Sequence, residues 1–405
     1  MKRFARPGAK VLFLALSLLP VVNMMRLAWI TGAGGISPVN RKLLEWDFTN
    51  TWAGGVLARL GRLDILFNAV SYTDWLRKSF GHSLASHQWS YPPTMLLISW
   101  PLGLLPLYWA YLAWSIGGLA FLVIVMRIAR TPGSVVALAL ISPATWTNLT
   151  FGQNGALTAA CFVGGLMIME SRPVLAGCLF GLLTIKPQLG LMIPVCILAR
   201  RNWRCLGAAV ASTMAIMGTT VALFGLNAWV MFFTRTEPLM RSFLEAPWHA
   251  GFQNNAVTVF LSVRALGAPL ALSYSLQFGV AVICLALSWK AWARTTADPA
   301  IRVSFVSCMA ILATPYGYSY DMIPFAFAIA CLVRRTGWTP VLILAWIYPG
   351  LTSYLTRIGL PLSPLVVLAV AALAWTCLGG EHEEIAGSGA KLADGVGAHA
   401  PQLCA

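Results

Sequence analysis

The chain has 405 residues, 58% of them hydrophobic and only 10% charged, where soluble domains carry about a quarter charged residues. With a mean hydropathy of +0.74, a globular soluble enzyme is excluded, and so is a disordered chain, which would be poor in apolar residues. The net charge of +15 comes as short basic clusters between apolar runs, the pattern of cytoplasmic loops in a polytopic membrane protein rather than of a nucleic-acid-binding face. The nine cysteines show no CxxC spacing and nearly all lie inside apolar runs, so neither a zinc site nor a disulfide framework is expected.

In chain order, Lys2, Arg3, Arg6 and Lys10 precede an apolar run from Val11 to Ile30. Arg26 interrupts it and no small-residue cleavage site follows, so it reads as an uncleaved first span with a cytoplasmic basic flank. A polar, helix-capable segment from about Thr31 to Tyr91 comes next. Pro92 to Leu105 is too short and proline-punctuated to cross a bilayer, which takes about 20 residues, and is placed as a juxtamembrane or re-entrant helix. These two stretches make a long first extracytoplasmic loop over about 32–105.

Further spans are predicted at 106–127, 134–150, 155–170, 173–185, 188–199, 205–226, 269–293, 300–314, 322–335, 338–355 and 361–379. With the first this makes about twelve. The stretch 173–199 can be one long span or two half-spans breaking at Lys186-Pro187. Proline cannot continue the helical ladder, and a lysine at the bilayer centre costs at least ~2.5–3.5 kcal/mol; a break would carry Lys186 to the outer surface. Arg127 and Arg130, Arg200, Arg201 and Arg204, Lys290 and Arg294, and Arg334 and Arg335 then all fall inside, as the positive-inside rule requires. The expectation is an all-α polytopic domain over 1–380 with both termini cytoplasmic, and a flexible cytoplasmic tail over 381–405.

This topology turns four polar sets outward. One holds Glu45, Asp47, Asp64, Asp74 and Tyr91; the second is Gly152-Gln153-Asn154; the third is Lys186-Pro187-Gln188. The fourth joins Trp248, His249, Gln253, Asn254, Asn255 and Arg264 to Tyr316 through Asp321. Each has an ordinary reading. Asp47 can cap a helix, Gln153 and Asn154 can satisfy a turn, Lys186 can snorkel, and Arg264 can anchor at the interface. Together, an acid beside cations and amides could hold an anionic lipid headgroup next to a general base.

Several blocks resemble glycosyltransferase family 87 of the GT-C superfamily, polytopic transferases that use polyprenyl-phosphate sugars. They are Trp46-Asp47-Phe48 with Trp52, Tyr91-Pro92-Pro93, Phe151-Gly152-Gln153-Asn154, Gly177 and Gly181 ahead of Lys186-Pro187-Gln188, and Arg200-Arg201-Asn202-Trp203-Arg204. The likeness runs from about residue 11 to 335. It implies a GT-C-like fold, Asp47 as catalytic base, and Lys186 on the carrier phosphate with Gln153 and Asn154 lining the same cavity. Arg264 would help stabilise the leaving phosphate; Gln188, Tyr91, Asn254, Tyr320 and Asp321 complete the candidate substrate-binding set. The donor would be a polyprenyl-phosphate hexose or pentose and the acceptor a glycan or glycolipid hydroxyl, with no cofactor and no metal. Mannose-transferring members often carry a histidine in the late outer loop; Ala313-Thr314-Pro315-Tyr316 to Asp321 has none, which weakens a mannosyltransferase-like reading. A secondary transporter, or a flippase without transfer chemistry, is the rival class, since broken helices with midplane polar groups also mark transporters.

Overall fold

In hydrocarbon, backbone polar groups must be satisfied within their own segment, and the apolar runs accordingly fold as helices. The computed structural model describes residues 7–29, 35–248, 251–293 and 297–378. The expected tail, His249 and Arg294 lie outside these. Among the described residues there are no strands, only an isolated bridge between Ala256 and Tyr318.

Among the described residues, three helices are long and apolar enough to cross a membrane: Leu107–Ile128, Trp203–Phe224 and Leu270–Ala293. At ~1.5 Å per residue their 22 to 24 residues span the ~30 Å hydrocarbon layer. Gly133–Ile141 and Pro143–Phe151, bent by 50°, qualify together as a fourth. The bend sits at Ser142, whose side chain accepts the Thr145 N–H at 3.2 Å while Pro143 opens the next helix. Most remaining apolar runs are helices of 10–17 residues, so helix length does not yield the expected twelve full spans. The 173–199 stretch breaks as one alternative has it. Pro173–Leu182 tightens into Leu183–Ile185, stops at Lys186, and restarts through Pro187–Gly190 into Ile193–Ala199.

Pro299–Ala313 is buried from Ile301 onward, and Ile323–Thr336 as far as Leu332. They form the centre of the larger core. Pro173–Leu182 packs on Trp203–Phe224 through Gly177 and Gly181, where a methyl would overlap Ala208 or Ser212; small residues let membrane helices approach this closely. At another corner Glu170 accepts from Arg200 at 2.9 Å and from the buried Arg302 at 3.0 Å.

The 35–105 segment is built of short helices, Phe48–Arg59, Leu63–Leu66, Ala69–Phe80 and Leu96–Leu102, around a second core that includes Leu57, Tyr72, Leu76, Trp89 and Met95. Phe48–Arg59 and Leu96–Leu102 touch backbone to backbone: a methyl on Gly55 would overlap the Ser99 carbonyl. Thr94 donates to the Thr184 carbonyl at 3.0 Å, which ties this segment to the helix break before Lys186.

Candidate active site

The chain closes a small loop before Asp47, the Ser37 N–H donating to the Lys42 carbonyl and the Arg41 N–H to the Ser37 carbonyl, both at 2.9 Å. Arg41 and Trp46 adopt left-handed φ of +56° and +46°, a conformation uncommon outside glycine and found disproportionately at functional sites. The turn brings the Lys42 ammonium to Asp47 Oδ1 at 2.6 Å and over the Trp46 ring at 5.2 Å. Asp47 stands at the N-cap position of Phe48–Arg59, yet its side chain makes no capping bond. Its carboxylate points instead at Lys42 and Gln153, so the helix-capping reading fails.

Gly152 makes the second half of this arrangement possible. It ends Pro143–Phe151 in the left-handed conformation, φ +61°, and a methyl there would come within 2.5 Å of the Phe48 Cβ and 2.9 Å of the Glu45 carbonyl. With only hydrogen in that gap, the Asp47 N–H reaches the Phe151 carbonyl at 3.2 Å. Gln153 then donates to Asp47 Oδ2 at 3.1 Å and accepts from the Tyr91 hydroxyl at 3.0 Å. Tyr91, Gln153, Asp47 and Lys42 thus form one continuous hydrogen-bonded chain.

Two acids flank Trp46, and their surroundings separate them. Burial pushes the Glu45 carboxyl up, opposed only by a backbone hydrogen bond. Burial pushes Asp47 up as well, but the charges of Lys42 and His87 and the hydrogen bonds from Lys42 and Gln153 outweigh it and hold Asp47 below the usual carboxylate range. His87 is buried, Nε2 unpartnered among the described residues; burial first and the Lys42 charge second bring it down to about 4, against the pull of Asp47. At neutral pH this leaves an ionised Asp47 beside a neutral imidazole. Each Asp47 oxygen already accepts one bond, but a carboxylate has about four lone-pair positions, and the side chain keeps 21% of its exposure.

That exposure faces a cavity of about 600 Å³. Trp46, Phe151, Tyr318 and Tyr320 form an aromatic wall, with Trp46 edge-on to Phe151 at 4.7 Å and Tyr318 stacked on Tyr320 at 5.3 Å. The Tyr320 backbone is fixed where its carbonyl accepts from Asn148 and lies against Gly155, with no room for a methyl between. Asn255 lines the cavity from the 251–257 segment, which pairs with the tyrosine loop where the Val257 N–H donates to the Gly317 carbonyl at 3.1 Å. Ser353, Tyr354 and Arg357, from the end of Pro340–Arg357, line it as well.

Lys186 and Asp321 sit behind Tyr320. Lys186 is buried inside the protein, 5% exposed, where its ammonium meets Asp321 at 2.5 Å, Asn154 at 3.4 Å and the face of Tyr320 at 5.0 Å, so it does not snorkel without a partner. The other Asp321 oxygen accepts the Tyr318 N–H at 3.2 Å, so the pair also shapes the tyrosine turn. Arg264 does not line the cavity: it donates to the carbonyls of Ala268 and Ala246 at 2.9 and 3.1 Å, closing helix ends. Asn254 is buried, and Gln188 is half-buried in the turn after Lys186; neither lines the cavity.

Of the sequence candidates, the structure therefore brings Asp47, Gln153 and Tyr91 together, and joins Lys186, Asn154 and Asp321 to them through Tyr320. Sequence reasoning missed Lys42, His87 and Arg357. A signal existed for the first: Arg41-Lys42 is a basic pair in a loop assigned to the side where such pairs are scarce. Among the described residues no three His, Cys, Asp or Glu side chains come together as metal ligands.

The sequence model of glycosyltransferase family 87 matches residues 89–315, more than half of the chain. The match is narrower than the expected 11–335 and contains Tyr91, Gln153, Lys186 and Arg264, while Asp47 lies outside it. No curated protein matches the chain, and no solved structure does.

Proposed function

Because the chain belongs to glycosyltransferase family 87, a membership in keeping with its long apolar helices, we propose that it moves a hexose or pentose from a polyprenyl-phosphate donor to a glycan or glycolipid hydroxyl. The reaction takes place on the extracytoplasmic face of the cell's inner membrane. Asp47 is the general base. The acceptor O–H gives its proton to the Asp47 carboxylate while its oxygen attacks the anomeric carbon. The bond from that carbon to the phosphate oxygen breaks, and polyprenyl phosphate leaves with the electron pair, inverting the configuration. The observation that carries this reading is the Asp47 carboxylate itself: it declines the helix cap beside it, is held ionised, and faces a cavity walled with aromatic rings suited to a sugar's apolar face. Lys186 acts at one remove, holding the Tyr318–Asp321 turn that presents those rings. The transporter and flippase readings have no comparable support.

Purified protein given a radiolabelled polyprenyl-phosphate sugar and candidate acceptors should form product. Asp47→Asn keeps shape and removes the proton acceptor, so turnover should fall at least ~10²-fold with donor binding little changed. Full activity in Asp47→Asn would sink the assignment of the base.

A further inference from the structure

An in-line displacement needs positive charge at the leaving phosphate, on the side of the anomeric carbon away from the base. Among the described residues, three cations, Lys42, Lys186 and Arg357, lie in or against the cavity region, and their surroundings differ. Lys186 is buried and its charge is met by Asp321 at 2.5 Å; it does not line the cavity. Lys42 does line it, but its ammonium is joined to Asp47, the base, at 2.6 Å. Arg357 lines the same cavity, is exposed, and has no carboxylate partner among the described residues. It is carried by a different element from either Lys42 or Asp47, the last turn of Pro340–Arg357. Ser353 stands four residues earlier, one turn back on the same helix face, and lines the cavity too.

We infer that Arg357, with the Ser353 hydroxyl beside it, is the phosphate-binding residue of this cavity and receives the monophosphate of the lipid carrier. The inference rests on the lipid-phosphate donor proposed above. A guanidinium presents a planar fork that matches two phosphate oxygens at once, and a serine hydroxyl adds a neutral donor to the third. Lys42 is left to tune the base, and Lys186 to hold the tyrosine turn. Arg357 also lies at a helix C-terminus, where the dipole favours any cation. That role alone would change stability when the charge is removed and would leave lipid binding untouched.

The test uses the full-length protein in lipid nanodiscs, with a polyprenyl monophosphate, the neutral polyprenol of the same chain length, and inorganic phosphate as probes. Wild type should bind the phosphorylated lipid more tightly than the polyprenol. Arg357→Gln should weaken the phosphorylated lipid about tenfold or more, Arg357→Lys should recover part of that loss, and polyprenol binding should stay constant in all three. Constant polyprenol binding also certifies the fold. If wild type prefers the phosphorylated lipid and Arg357→Gln binds it equally well, the role of Arg357 is overturned while the donor class stands. If wild type does not discriminate between phosphorylated lipid and polyprenol, the donor class falls and this inference falls with it. Binding of inorganic phosphate as tight as the lipid, and lost in Arg357→Gln, would keep the anion site and overturn the lipid carrier as its ligand.

Discussion

Asp47 is subject to two opposed influences, and the balance between them is open to measurement. Burial alone would raise its carboxyl; Lys42, through charge and a hydrogen bond, leads the groups that bring it down. A carboxyl lowered in the folded state adds stability that is present above the unfolded-state value and is lost as pH falls through the folded-state value. The same shift keeps Asp47 ionised across the neutral range, so if it is the base, as proposed, the acid limb of kcat/KM should lie below the ordinary carboxylate range. Lys42→Met removes the leading opposing influence and leaves burial in place. The acid limb should then move to higher pH, with activity at the alkaline plateau reduced less than activity at mildly acid pH. A pH–rate profile that does not move in Lys42→Met would separate Lys42 from the base. The sequence offers Asp47 as an outward acid and Arg41-Lys42 as a basic pair in the same loop, but not the contact between them. The contact across five residues depends on left-handed backbone at Arg41 and Trp46, which the propensities of arginine and tryptophan do not announce.

At the scale of elements, the site is assembled where two helices stop. Pro143–Phe151 ends at Gly152 and delivers Gln153; Pro173–Leu182 runs out through Leu183–Ile185 and delivers Lys186. Both stops follow from local chemistry, a glycine that accepts left-handed φ and a proline that lacks an N–H; the first reads from the sequence as a turn, and the second as one of two alternatives. The destination of Lys186 does not read from it, because its partner lies 135 residues away. A buried ion pair makes a distinctive set of predictions. Lys186→Met or Asp321→Leu alone leaves one uncompensated buried charge and should cost roughly 3–5 kcal/mol, whereas the double variant should regain most of that loss. Thermal unfolding of the two single variants and the double variant in detergent completes the cycle. A Lys186→Met protein as stable as wild type would show that the ammonium is not confined with Asp321. Because the pair also holds the Tyr318 N–H, turnover in the double variant should remain below wild type even where stability returns.

For the whole molecule, composition and hydrophobic patterning made the all-helical membrane class plain, and each predicted span from 106–127 onward coincides with helix to within a few residues. What patterning could not convey is length in three dimensions. Breaks at Ser142-Pro143 and Lys186-Pro187 divide apolar sequence into short pieces, and the central helices are shielded by protein rather than by lipid. Sidedness is therefore better tested through loops than through span counting. With Cys178, Cys377 and Cys404 replaced, the other native cysteines being buried, Asp74→Cys and Arg204→Cys each add one accessible thiol at an exposed position, one in the segment that carries Asp47 and one in the basic Arg200–Arg204 cluster. The positive-inside rule puts the cluster in the cytoplasm, so a membrane-impermeant thiol reagent applied to intact cells should label position 74 and spare position 204 until the membrane is permeabilised. The reverse pattern would put Asp47, its cavity and Arg357 on the cytoplasmic side. Labelling of both positions from outside would mean that the chain between them crosses the membrane an even number of times, which excludes the arrangement of spans at 106–127, 134–150, 155–170, 173–185 and 188–199 with a break at Lys186.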